Sequence, residues 1–103
     1  MFVAEFYCEV VGYASINRNT EIEAEIATFY ILPQYQRLGI GGTLLKEVLK
    51  NLKQLNYNKV VVWTMKNFKQ SNDFYKKYGG IPTGNIKKLN YYDIDVVEFV
   101  FSL

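Results

Sequence analysis

Apolar and polar residues follow two rhythms along this chain, a strand-like one in some stretches and a period near 3.6 in others. From Phe2 to Tyr7 and from Val10 to Ile16 the residues are rich in β-branched and aromatic types, which predicts an antiparallel hairpin. The turn near Tyr7-Cys8-Glu9 lacks the Asn-Gly or Gly-Gly that would fix its place, and Gly12 marks either a bulge or a close backbone approach. Asn17-Arg18-Asn19-Thr20 reads as a polar turn. A third strand follows from about Glu23 to Leu32, its exit marked by Pro33.

The rhythm then changes. Ile40, Leu44, Leu45, Val48, Leu49 and Leu52 recur at helical spacing, while Lys46, Glu47, Lys50, Asn51 and Lys53 fall on the other side. Asn56-Tyr57-Asn58 ends this helix. Lys59 to Thr64 is a continuous apolar run of strand length, as a strand covered on both faces should be. A shorter helix is expected from about Lys69 to Tyr78, stopped by Gly79-Gly80. Asn85 to Asn90 and Asp93 to Phe101 form a last strand pair, the second apolar on both faces and therefore central. Three strands, helix, strand, helix and two strands predict a mixed sheet with helices packed against it, in the α+β or α/β class.

The 103 residues suit a single domain, 1–103, and half of them are hydrophobic with 17% aromatic, enough for a core with some left for a partner surface. The net charge of +2, from 12 basic and 10 acidic residues spread along the chain, argues against a nucleic-acid binder. Cys8 is the lone cysteine and there is no histidine, which excludes an internal disulfide and points away from zinc and triad chemistry. No apolar run approaches the roughly 18 residues of a membrane span, and Met1 to Glu5 lacks the basic start of a signal peptide. A cytoplasmic protein with no membrane partner and no metal is expected.

Between the third strand and the first helix lies Gln36-Arg37-Leu38-Gly39-Ile40-Gly41-Gly42-Thr43. Glycines remove side chains where the backbone turns, so several amides can point into one space at the helix start. There the helix dipole and Arg37 favour an anion such as phosphate. Gly39-Ile40-Gly41-Gly42 does not fit the dinucleotide fingerprint, and no Lys-Ser/Thr follows as in a Walker loop. It matches Gln-x-x-Gly-x-Gly.

With this loop the chain resembles the GNAT N-acetyltransferase superfamily from about Val3 to its end. Ala24-Glu25-Ile26, Tyr30-Ile31-Leu32-Pro33 and Gln36 to Gly41 stand in the order and spacing of that family's pyrophosphate-binding region. Asn67, Ser71, Phe74-Tyr75 and Tyr78-Gly79 resemble a second block, Asn-x-x-(small)-x-x-x-Tyr-x-x-x-Gly. The resemblance implies the family fold, a mixed, mostly antiparallel sheet with helices on both faces. It also implies an acetyltransferase that takes acetyl-CoA as co-substrate and an amine as acceptor.

The same likeness implies roles. Gln36, Arg37, Leu38, Gly39, Gly41, Gly42 and Thr43 would hold the pyrophosphate. Phe29 and Ile31 would meet the acyl-pantetheine arm through their backbone, the Phe29 N–H polarising the thioester carbonyl. Tyr75 matches the residue that serves the departing thiolate, although a core aromatic packed with Phe68 and Tyr78 is the other reading. Glu25 matches a carboxylate that some members use as base. Glu21, Glu23 and Glu25 on one side of the strand could attract a cationic amine, or could simply be solvated. Asn67 would contact the cofactor, or cap a turn. Cys8 matches no family nucleophile.

The chain departs from the family in lacking the N-terminal strand and two helices that form one wall of the acceptor site. It also has Gly80 where Phe is usual. An open acceptor side, or one completed by a second copy as a homodimer, is therefore expected. A non-catalytic CoA-binding or dimerisation module is the rival expectation.

Overall fold

A computed structural model describes residues 2–6, 9–89 and 93–103, with the main chain alone described at Phe6. The strands are β1 (Phe2–Phe6), β2 (Glu9–Arg18), β3 (Glu23–Ile31), β4 (Lys59–Met65), β5 (Ile81–Lys88) and β6 (Asp95–Ser102). The helices are α1 (Ile40–Gln54) and α2 (Lys69–Lys77), with a 3-10 turn at Pro33–Tyr35. The expected turn at Tyr7-Cys8 and the strand end at Asn90 lie outside the described residues.

The strands form one sheet in the order β1-β2-β3-β4-β6-β5. Only β3 and β4 pair in parallel; the other described pairs are antiparallel. β6 is central, as its apolar character on both faces requires. β5 starts at Ile81, earlier than the Asn85 its sequence suggests. Pro82 and Gly84 look like strand breakers, but β5 is an edge, where a proline without an N–H is tolerated. Ile81 and Pro82 pair with Val100 and Phe99 before the register shifts.

Helices expected on both faces gather instead on one. Gly41 and Gly42 at the start of α1 meet Phe74 and Tyr78 of α2, so the helices touch each other on one side of the sheet. The strand order explains why. The crossover β3-α1-β4 and the crossover β4-α2-β5 both advance in the same direction across the sheet. Right-handed crossovers advancing one way place their helices on the same face.

On that face Leu44, Leu45, Val48 and Leu52 of α1 and Tyr75 of α2 pack on Ala14, Ala24, Ile26, Ile31, Val60, Val62, Phe99 and Phe101. Phe101 packs its ring against Tyr75 at 6.3 Å, which supplies an aromatic anchor although position 80 is glycine. Neither helix covers the other face. Tyr13 and Tyr30 pair there at 6.1 Å, and Lys87 Nζ stands 4.2 Å from the Trp63 ring centroid.

Gly12 is a close approach beside a shift of register at β1. A Cβ there would meet the Tyr30 carbonyl at 2.7 Å and the Ile31 side chain. Backbone oxygen cannot yield, so Gly12→Ala should overpack the β2–β3 seam and cost about 1–3 kcal/mol, read as a lower urea midpoint at unchanged slope.

Candidate active site

β3 and β4 pair from Glu23↔Lys59 to Ile26↔Val62 and then separate. In the β2–β3 register Ser15 faces Thr28 while Ile16 faces Ile26, so Ala27 is an extra residue and the strand bulges there. Beyond the bulge Phe29 and Ile31 turn toward the helices and the β4 side of β3 has no strand partner.

A cleft of about 610 Å³ opens beside this separation. Its walls are Phe29, Tyr30 and Ile31 of β3, the loop and helix start at Gln36, Arg37, Gly39, Gly41 and Gly42, and one side of α2 with its flanks, from Phe68 through Phe74 and Tyr75 to Tyr78. Local sequence accounts for each wall. Pro33 breaks the strand into a 3-10 turn, and Gln36 Nε2 then donates to the Ile31 carbonyl at 2.9 Å, fastening the loop back onto β3. Arg37 sits at φ 63 and Gly39 at φ 80, two left-handed residues that swing the chain into α1.

Gly39 offers no capping side chain. Thr43 N–H makes the first helical bond, to the Gly39 carbonyl at 3.1 Å, and Thr43 Oγ1 donates to the same oxygen. Among the described residues the amides of Ile40, Gly41 and Gly42 therefore have no acceptor. With Arg37 at the rim, the helix start is a place for an anion.

Tyr75 forms the inner end. It is 7% exposed and ringed by Phe29, Phe74, Phe99 and Phe101 at 5.3–6.4 Å between ring centroids. Burial away from water pushes its phenol up to about 12. The hydroxyl makes no hydrogen bond to a described residue.

Of the residues expected in a site, Phe29, Ile31, Gln36, Arg37, Gly39, Gly41, Gly42 and Tyr75 line this cleft. Leu38 and Thr43 belong to the same loop and helix turn but do not line it. Gln36 acts through its side chain as a loop brace. Asn67 is not brought to the cleft: it lies in the β4–α2 turn beside Met65 and Asp93 to Asp95, in a separate hollow. The second motif wants its small residue three positions after the asparagine, whereas Ser71 is four after Asn67, so Phe68 takes the place on the cleft wall. Glu25 also lies outside the cleft. It is half-buried, pairs in register with Asn17 and Val61, and has the opposite side-chain parity to Ala24 and Ile26, toward the helix-free face.

One member of the acidic row is engaged. Glu23 accepts from Asn19 Nδ2 at 3.0 Å and pairs with Lys59 at 3.4 Å, and these hold its carboxyl below the usual carboxylate range. Tyr75 packs among phenylalanines rather than with Phe68, which is 47% exposed. Tyr30, Gln70, Ser71, Phe74, Lys77 and Tyr78 line the cleft without having been expected as site residues. The signal for four of them was the 3–4 residue spacing of Ser71, Phe74, Tyr78 and Lys77 along one helix.

In overall shape the chain matches solved acetyltransferases. A GNAT family acetyltransferase from Elizabethkingia anophelis with acetyl-CoA bound superposes with a TM-score of 0.86 at 24% identity, covering 98% of this chain and 74% of that one. Ard1 from Thermoplasma volcanium also gives 0.86 at 24% identity, over 94% of this chain and 66% of that one. A ribosomal-protein-alanine N-acetyltransferase from Brucella melitensis gives 0.86 at 24%, over 98% and 67%. These likenesses define the fold, and the chain spans about two thirds to three quarters of the length of each. The sequence model of the acetyltransferase (GNAT) family matches residues 1–80, and the protein belongs to that family. Among curated proteins no sequence gives a significant match. Among the described residues no helix is long and apolar enough to cross a membrane.

Burial of Tyr75 makes a stability prediction. Unfolded, the phenol ionises near its ordinary 10.0; folded, it holds its proton to about 12. Its contribution is complete below pH 10 and is lost as pH rises to 12, because the unfolded chain releases the proton first, a loss on the order of 3 kcal/mol. Denaturant titrations from pH 9 to 12 should show a steeper fall for wild type than for Tyr75→Phe.

Proposed function

We propose that this chain binds acetyl-CoA in the cleft and passes its acetyl group directly to a primary amine in a ternary complex. The uncapped amides of Ile40, Gly41 and Gly42, opening beside Arg37, carry the reading, because a diphosphate is the group such donors accommodate. The acetyl-CoA bound to the Elizabethkingia anophelis relative supports it. The pantetheine arm would run along the part of β3 that β4 leaves unpaired, as an added strand does, with the thioester carbonyl held by the Phe29 N–H.

Tyr75 then stands at the sulfur end. A phenol raised to about 12 is a weaker acid than the thiol whose thiolate departs, so full proton transfer from Tyr75 to sulfur is uphill. Its role is hydrogen-bond donation to the thiolate as the bond to sulfur breaks, with the proton left on the oxygen. Tyr75→Phe removes that donor and should lower kcat about 10- to 100-fold while leaving the Kd for acetyl-CoA within a few-fold.

Glu25 reaches the reaction from the other face. The acceptor amine would approach through the opening between β3 and β4, and Glu25 would take its proton through a water. Glu25→Gln should lower kcat/KM about 100-fold while leaving the Kd for acetyl-CoA within a few-fold. An unchanged kcat/KM assigns the base elsewhere. The acceptor could be a polyamine, a peptide N-terminus, a lysine side chain or an antibiotic amine; the Brucella melitensis relative is a ribosomal-protein-alanine N-acetyltransferase.

One observation favours a second reading. Neither helix covers the face that bears Glu25, and a second copy could supply a wall there, or the chain could act as a CoA-binding or dimerisation module without turnover. Calorimetric titration with acetyl-CoA at low salt, followed by thiol-release assays over an amine panel, separates the cases. Binding with turnover supports the transferase, binding without turnover supports the module, and no binding removes both. A cytoplasmic location belongs to this same reading, since acetyl-CoA and a reduced Cys8 are at home there.

A further inference from the structure

The loop and helix start account for a diphosphate, but they do not account for two lysines that share one ring beside the cleft. Tyr78 closes α2 and lies against Gly42, so closely that a Cβ on that residue would collide with the Tyr78 hydroxyl and ring. Phe74 packs on the same ring at 5.1 Å. The ring is thus fixed by backbone on one side and an aromatic on another. Around it stand two ammonium groups, Lys46 Nζ from α1 and Lys77 Nζ from α2, each 5.6 Å from the ring centroid.

Lys46 is one helical turn beyond Gly42, and Lys77 lines the cleft itself. Neither lysine has a carboxylate within 4.0 Å among the described residues, whose ion pairs involve Lys59 and Lys88. Two cations held to one ring repel each other, and cation–π attraction at an exposed site offsets only part of that. A dianion placed between them removes the repulsion and gains two charge-assisted hydrogen bonds.

We infer that Lys46 and Lys77, carried by Tyr78, form a second anion subsite next to the diphosphate site, and that its ligand is a phosphomonoester on the same nucleotide. This rests on the acetyl-CoA reading above and deepens it. Coenzyme A carries such a group on its ribose, and dephospho-CoA lacks only that group. The cleft is therefore built to select the 3′-phosphorylated form over otherwise identical thioester carriers.

Calorimetric titration of the full chain with CoA and with dephospho-CoA, at low salt and again at about 0.5 M salt, tests the subsite. Wild type should bind CoA about five- to tenfold more tightly at low salt, with the ratio shrinking as salt rises. In Lys46→Gln/Lys77→Gln the ratio should fall toward one. Tyr78→Leu, which keeps both charges but removes their platform, should reduce it in part. Equal binding of the two ligands by wild type, or a preference that survives in the double variant, would overturn the subsite while leaving the acetyl-CoA reading intact. Failure of wild type to bind either ligand would remove both.

Discussion

Two neighbouring parallel strands that stop pairing partway along are the constraint on which this structure turns. After Ile26↔Val62 the main-chain donors and acceptors on the facing sides of β3 and β4 have no strand partner, and an interior sheet does not tolerate that without another ligand for them. The bulge at Ala27 is what makes the separation useful. It reverses side-chain parity, so Phe29 and Ile31 continue the apolar side begun by Ala24 and Ile26; an unbulged strand would turn Thr28 and Tyr30 toward the helices instead. One inserted residue thereby joins a core-forming half-strand to a cleft-forming half-strand.

The aromatic ridge of α2 follows from the same opening. At nine residues α2 is too short to persist on intrinsic propensity, and Tyr75 is its one buried residue. Its place is set by contacts of Phe74, Tyr75 and Tyr78 with Phe29, Phe99, Phe101 and the bare backbone of α1 at Gly41 and Gly42. Large rings fill the wedge between the parted strands and the first turn of α1, where aliphatic side chains of ordinary length would leave a void. The glycines thus serve both partners of the cleft, freeing amides on one side and admitting rings on the other.

How much of this could be read from the residues follows from what each signal reports. The helical period of α1, the apolar run of β4 and the glycine loop are local patterns, and they stand where the sequence places them. The side of the sheet taken by each helix depends on strand order, which no local pattern contains; inserting β6 between β4 and β5 gives both crossovers the same sense and puts both helices on one face. Asn67 was drawn toward the site by an inexact motif, and the extra residue before Ser71 turns it away. Pro82 and Gly84 concealed the start of β5 because breaker residues signal a turn unless the strand is known to be an edge. The raised phenol of Tyr75 was hidden for a similar reason, since its cause is the packing of rings from two strands and a helix around one side chain.

Charge is spread unevenly over the sheet. Arg37, Lys46 and Lys77 stand on the helix side, where backbone amides add to their field, while Glu23 and Glu25 project from the opposite face, which also carries Lys59 and Lys87. Lys59 and Asn19 already engage Glu23, so Glu25 is the carboxylate of this pair without an ion-pair partner among the described residues. In the reading proposed above, acetyl-CoA and the amine would meet the sheet from opposite faces, with the stretch where β3 and β4 no longer pair between them. Tyr75 at the inner end of the cleft is itself buried among aromatic rings. There a hydrogen bond to a developing anion is stronger than in bulk solvent, for the same reason that the phenol itself resists ionisation.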